Sequence, residues 1–149
     1  MICKKNIRLK EYDYSTNGYY FVTICTNYRK SYLNNEKVKK VVVTELARLS
    51  YLKGIKIDFY VIMPEHIHVI IILEDSAYSL FEILRRFKSK TTVLVKKIAN
   101  QGWQLQKLWQ PNYFEHIIRN EKALGKIREY IKNNPGEEVN SFDKFYGTV

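Results

Sequence analysis

Apolar and polar positions follow a two-residue period in several short stretches, and this pattern predicts β-strands. Residues 19–26 (YYFVTICT) are β-branched and aromatic and follow an Asn-Gly turn signal, as expected of a strand. Residues 66–73 (HIHVIIIL) form another strand, and its short connection to residues 55–62 predicts a hairpin. Within 55–62 the alternation predicts one face that carries Ile55, Ile57, Phe59 and Val61.

Other stretches show the spacing of helices. Residues 36–51 carry apolar side chains at helical spacing, and Ser79-x-x-Glu82 is a capping box that opens a helix reaching about residue 99. Asn120 can cap a last helix that runs to Asn134. This helix would point Leu124, Ile127 and Ile131 inward.

The order of these elements predicts an α+β fold. Short strands are expected at 107–109 and 113–119, and the tail 137–149 shows no periodicity. The first six elements then match a ferredoxin-like split βαβ antiparallel sheet. Residues 66–73 are apolar on both faces, so both faces must be covered. We expect the last helix to cover the face that carries His66 and His68.

Length and composition fit one folded domain, residues 1–149. Hydrophobic residues make up 46% and aromatic residues 14% of the chain, which excludes a disordered protein. The longest apolar run is far too short to span a bilayer, and the N-terminus lacks the apolar part of a signal peptide. We therefore expect a cytoplasmic protein with no membrane partner, in which Cys3 and Cys25 are reduced.

The net charge of +10 is unevenly distributed. No acidic residue occurs from residue 83 to residue 114, and seven basic residues do. Basic side chains neutralise phosphates, and nearby aromatic rings can stack on unpaired bases. A solvated helix face is the alternative explanation. The nucleic-acid interpretation selects Arg85, Arg86, Lys88 and Lys90.

The motif His66-Ile67-His68 is the sharpest candidate for chemistry. On a strand these two imidazoles share one face and can hold one divalent ion. Many such pairs are ordinary surface or core histidines, but an unpaired polar group at the start of an apolar strand is costly. His116 is one candidate for a third ligand, and an amide or carboxylate of the last helix is the other.

The last helix supplies Tyr130 and Asn134, which share one helical face because they are four residues apart. A tyrosine can attack a phosphate whose oxygen is polarised by a metal ion. Both residues could instead be purely structural. The sequence has no P-loop and no GxSxG motif, and its four aspartates are not clustered, so competing chemistries find little support.

Several motifs resemble the single-tyrosine HUH transposases, especially the REP-associated tyrosine transposases. The resemblance covers about residues 8–135 and leaves 136–149 atypical. It is carried by these segments: YYFVTICT (19–26), YVIMPEHIH (60–68), FKSKT (87–91), WQ (109–110), YFEHIIRN (113–120) and YIKNNP (130–135).

The resemblance implies an HUH fold and metal-dependent cleavage and joining of single-stranded DNA, often at hairpins of palindromic repeats. It implies that His66, His68 and Asn134 bind Mg²⁺ or Mn²⁺ and that Tyr130 forms a 5′-phosphotyrosine. Two positions depart from the family: Glu65 stands where asparagine is usual, and the tryptophan expected after Asn-Pro is missing.

Two classes of function follow. The first is a tyrosine transposase that acts on single-stranded or hairpin DNA. The second is a domesticated module that binds hairpin DNA or RNA without cutting it. The complete set of Tyr130, His66, His68 and Asn134 favours the enzyme, because a binding module does not need these residues. The sequence leaves open whether the protein is a monomer or a homodimer.

Overall fold

The computed structural model describes residues 12–99, 105, 107–133 and 138–141. The strands are β1 (Gly18–Cys25), β2 (Ile55–Ile62), β3 (His66–Leu73), β4 (Phe114–Ile118) and β5 (Glu138–Ser141). The α-helices are α1 (Glu36–Arg48), α2 (Leu80–Ala99) and α3 (Glu121–Lys132). Short 3₁₀ turns lie at Asn27–Arg29, Tyr32–Asn34 and Leu49–Tyr51.

The described strands form one antiparallel sheet in the order β4-β1-β3-β2-β5. The first four strands have the order expected of a ferredoxin-like split βαβ fold, so the predicted fold class is confirmed. Strand β5 adds an edge beside β2, in a tail for which the sequence pattern predicted no strand.

Two apolar layers lie on opposite faces of the sheet. The larger core joins one face to α1 and α2, through residues such as Val42 and Leu84. The smaller core joins the other face to α3, with Phe21, Ile70 and Ile131 at its centre. Helix α3 therefore covers the face that the apolar pattern of residues 66–73 had predicted for it.

Strand β2 contains an irregularity that the alternation did not reveal. Its pairing with β3 shifts register between Ile57 and Tyr60. An extra residue in a strand reverses which side chains face each layer. Tyr60 therefore packs in the larger core, and Phe59 packs on the α3 side. The prediction that Phe59 and Val61 share a face with Ile55 and Ile57 is wrong for this reason.

Ser79 and Asn120 cap the starts of α2 and α3, as predicted from the sequence. The Ser79 hydroxyl accepts a hydrogen bond from the backbone N–H of Glu82 (3.3 Å), and Asn120 Oδ1 accepts one from Ala123 (2.8 Å). These contacts satisfy backbone donors of the first turn. The segment 107–109 is not a strand, because Trp109 makes only an isolated bridge to Thr26.

An ion pair fastens α3 to the irregular part of β2. Arg128 donates to both carboxylate oxygens of Asp58, over 2.8 and 2.9 Å. Asp58 is buried, and its hydrogen bond raises the pKa of Arg128.

The expectation of reduced cysteines is wrong for Cys25, which is disulfide-bonded. Within the described part of the chain, no helix is long and apolar enough to cross a membrane.

Candidate active site

The two histidines of the HxH motif lie side by side at the start of β3. Residues two apart on a strand point the same way, so both rings lie on one face of the sheet. This is the face covered by α3, because His68 stacks on Phe21 of the smaller core. In the antiparallel register, Cys25 lies opposite His66 and Thr23 lies opposite His68. Both rings are buried, and their centroids are 4.7 Å apart.

Each ring uses its Nδ1 atom in a hydrogen bond. His66 Nδ1 lies 3.1 Å from Glu65 Oε1, and His68 Nδ1 lies 2.8 Å from Thr23 Oγ1. The Nε2 atom of His68 is buried and has no hydrogen-bond partner among the described residues. A buried ring nitrogen without a partner is costly, and a bound cation would satisfy it.

Burial keeps both imidazoles in the neutral form that binds cations. Desolvation lowers the pKa of His66, although the carboxylate of Glu65 opposes this shift. Desolvation, with the neighbouring His66 ring as a second cause, lowers the pKa of His68 to about 3. Both rings are therefore uncharged at neutral pH and can offer a lone pair.

Tyr130 lies beside this pair on α3. Its ring centroid is 5.5 Å from that of His68 and 6.3 Å from that of Phe21. Phe21 in turn stacks on His68 at 5.4 Å. Tyr130 is 47% exposed, so a substrate can reach it while its ring borders the buried histidines.

The two candidates for a third ligand are placed differently. His116 is exposed on β4 and pairs with Phe21 in the sheet, so two strand spacings, about 10 Å, separate its strand from β3. Asn134 lies outside the described residues, and its proposed role stays a prediction. Among the residues described, no group of three or more histidine, cysteine or acidic side chains could hold a metal.

The basic residues of α2 lie across the sheet from the histidine pair, because α2 belongs to the larger core. Arg85, Arg86 and Lys90 are exposed and line a groove of about 570 Å³ between α1 and α2. Lys88 is used differently: its ammonium donates to the carbonyl oxygens of Gln110 (2.6 Å) and Asn112 (3.4 Å).

Sequence reasoning missed the residues that hold the site in place. Thr23 could have been found as a polar residue within the apolar strand YYFVTICT, on the face expected to carry the histidines. Glu65 precedes the motif, and strand alternation pointed it away from His66. The Arg128–Asp58 pair gave no local signal, because its partners are seventy residues apart.

These contacts define a class of protein: a ferredoxin-like domain with a neutral histidine pair on one sheet face and a tyrosine on the helix that covers it. The family model for IS200-like transposases matches residues 14–134. The chain belongs to this family and is a transposase by that membership.

Two relatives are similar to most of this chain. The chain is 31% identical to an uncharacterized protein of Haemophilus influenzae, over 89% of this chain and 88% of that protein. It is 26% identical to the REP-associated tyrosine transposase of Escherichia coli K12, over 82% of this chain and 68% of the relative.

Two solved structures share the fold. One is a REP-associated tyrosine transposase bound to a REP hairpin, with a TM-score of 0.68, 24% identity and coverage of 87% of this chain and 72% of that one. The other is a candidate transposase from Deinococcus radiodurans, with a TM-score of 0.52, 17% identity and coverage of 88% and 99%.

Proposed function

We propose that this transposase cleaves and rejoins single-stranded DNA through a 5′-phosphotyrosine on Tyr130, with a divalent metal at His66 and His68. The observation that carries the proposal is the buried, unpartnered Nε2 atom of His68 next to the ring of Tyr130. A histidine pair that served only to pack the sheet would not need an unsatisfied buried nitrogen on the ring that borders Tyr130.

Two neutral ring nitrogens can hold a divalent ion, and we propose Mg²⁺ or Mn²⁺, whose preferred oxygen ligands would come from Asn134, water and the DNA phosphate. A metal-binding imidazole usually donates its other N–H to an oxygen, and both Nδ1 atoms have an oxygen within hydrogen-bond distance. Asn134 follows Tyr130 by four residues in the sequence and is the proposed third ligand. When bound, the metal would polarise a phosphoryl oxygen and offset the charge that develops on it.

The reaction of Tyr130 is a transesterification. Its hydroxyl oxygen forms a bond to phosphorus as the bond from phosphorus to the 3′ oxygen breaks. The phenolic proton leaves to water, and the released 3′ oxygen takes a proton to become a free hydroxyl. A 3′-hydroxyl of another strand can then attack the phosphotyrosine, which restores Tyr130 and joins the strands.

We propose hairpin or palindromic DNA as the substrate. A similar structure is bound to a REP hairpin, and a relative is a REP-associated transposase. The groove lined by Arg85, Arg86 and Lys90 supplies positive charge for phosphates. Because this groove and the histidine pair lie on opposite sides of the sheet, a hairpin stem and the cleaved strand would contact different faces. Lys88 would act indirectly, by holding the segment before β4.

The test is covalent capture of a hairpin oligonucleotide in the presence of Mn²⁺. We expect wild type and Tyr51→Phe, a control at an 81% exposed tyrosine, to form a band-shifted adduct. Tyr130→Phe should form no adduct but still bind the DNA. An adduct that persists in Tyr130→Phe would contradict the proposal. Binding without an adduct in wild type would favour the non-cleaving hairpin-binding module.

A further inference from the structure

Glu65 lies in the turn between β2 and β3, directly before the histidine motif. Its Oε1 atom is 3.1 Å from His66 Nδ1 and 3.3 Å from Arg29 Nη2. Its backbone carbonyl accepts hydrogen bonds from the N–H (2.9 Å) and the hydroxyl (3.1 Å) of Thr26. Both the backbone and the side chain of Glu65 are therefore fixed in position.

The turn that delivers Arg29 is strained. Tyr28 and Arg29 have φ values of 55° and 53°, two consecutive non-glycine residues in the left-handed region. Such backbone is disfavoured for L-residues and persists where surrounding contacts enforce it, often next to functional sites. Here the turn brings a guanidinium against the carboxylate that contacts His66.

An ionised carboxylate can only accept hydrogen bonds. Its contact with His66 therefore places the ring proton on Nδ1 and leaves the lone pair on Nε2. This is the tautomer that binds a metal through Nε2, and a carboxylate behind a histidine ligand also increases its basicity. Arg29 holds the carboxylate in this orientation from its other side.

We propose that Glu65, oriented by Arg29, is a positioning residue that fixes the His66 tautomer and strengthens divalent-metal binding. The inference rests on the proposed metal site at His66 and His68. The carboxylate of Glu65 places a negative charge behind the ligand, where an asparagine would place a neutral amide. The expected consequence is tighter metal binding than an asparagine at this position would give.

The first measurement needs no metal. Long-range ¹H–¹⁵N NMR spectra of the metal-free protein report which ring nitrogen carries the proton. In wild type, and in the control Glu74→Gln at an exposed glutamate beyond the other end of β3, we expect the His66 proton on Nδ1. In Glu65→Ala, a substantial population should carry it on Nε2. An unchanged tautomer in Glu65→Ala would overturn the proposal.

The second measurement is the Kd for Mn²⁺, by calorimetric titration of the same proteins. We expect Glu65→Ala to bind about 10- to 100-fold more weakly, as is typical when such an outer partner of a ligand is lost. Glu65→Gln and Glu65→Asn, which keep an acceptor but lose the charge, should fall between it and wild type. They also keep the test available if Glu65→Ala does not fold.

The double variant His66→Ala, His68→Ala separates the two levels of the argument. If wild type binds no Mn²⁺, or if the double variant binds it equally well, the proposed metal site is wrong and the role of Glu65 falls with it. If the double variant loses Mn²⁺ while all Glu65 variants bind like wild type, the metal site stands and only the role of Glu65 is overturned.

Discussion

The ion pair between Arg128 and Asp58 should control both the stability of the fold and the position of Tyr130. Arg128 lies two residues before Tyr130 on α3 and donates two hydrogen bonds, of 2.8 and 2.9 Å, to the carboxylate of Asp58 on β2. The variant Arg128→Met keeps an apolar stem but removes the charged guanidinium, whose Cζ atom lies 5.5 Å from the centroid of the Phe59 ring. It leaves the buried Asp58 carboxylate without this partner.

The size of the effect follows from burial. Removing one partner of a fully buried pair costs about 3–5 kcal/mol, whereas exposed pairs contribute about 0–1 kcal/mol. The Asp58 side chain is 10% exposed and that of Arg128 is 35% exposed, so this pair lies between the two limits. We expect Arg128→Met to lower the free energy of unfolding by about 2 kcal/mol. If Tyr130 is the nucleophile as proposed, a shift of α3 by about 1 Å should also slow adduct formation about 100-fold.

Urea unfolding of a double-mutant cycle measures the effect. The double variant Arg128→Met, Asp58→Asn should be more stable than Arg128→Met alone, because no unpaired carboxylate remains. The control Glu36→Gln removes an exposed partner of Lys39, 3.8 Å away, and should change stability by less than about 0.5 kcal/mol. The reasoning is refuted if Arg128→Met changes the free energy of unfolding no more than this control does and the double variant is no more stable than Arg128→Met.

Three further predictions concern pH, backbone conformation and charge. Burial lowers the pKa of His68 from 6.5 to about 3. The contribution of this group to the free energy of unfolding should therefore be complete above pH 6.5 and fall by up to about 1.4 kcal/mol per pH unit as the pH decreases toward 3. Urea unfolding at pH 7 and at pH 5 should show a smaller loss of unfolding free energy for His68→Asn than for wild type. Gly54→Ala should destabilise the protein by about 1–3 kcal/mol, because Gly54 has φ +82° and a Cβ there would lie 2.8 Å from Ser76 backbone atoms. Gly125→Ala in α3 should instead stabilise the protein by about 0.5–1 kcal/mol, because nothing lies within 4 Å of a Cβ at that position. Thermal or urea unfolding measures both changes. Neutralising Arg85, Arg86 and Lys90 should weaken hairpin binding and flatten its salt dependence in titrations at several salt concentrations, and an equal slope in the variant would mean that the groove does not contact phosphates.

The order of the elements and the covered faces could be predicted because they depend on local patterns. Strand 66–73 is apolar on both sides, which requires a layer on each side, and α3 fills the second one. Asn120 and Ser79 mark helix starts because their side chains bond nearby backbone groups. The irregularity of β2 and the pairing of β5 depend on register with distant strands, which alternation within one segment does not encode.

In the candidate site, too, some features follow from local sequence patterns and others depend on contacts between distant segments. The spacing of His66 and His68 places both rings on one face, and the cover by α3 brings Tyr130 to them. The partners of the ring nitrogens could not be predicted, because Thr23 reaches His68 through cross-strand register and Glu65 reaches His66 through the shape of a turn. His116 was a reasonable third ligand by residue type, but its strand lies two positions from β3.

The most direct test of the central claim is the location of the covalent bond between protein and DNA. After reaction with a hairpin oligonucleotide and Mn²⁺, tryptic digestion and nuclease treatment leave a nucleotide remnant on one peptide, which mass spectrometry identifies. We expect the remnant on residues 129–132 (EYIK), which contain Tyr130. A remnant on residues 108–119 (LWQPNYFEHIIR), which contain Tyr113, would contradict the assignment of the nucleophile.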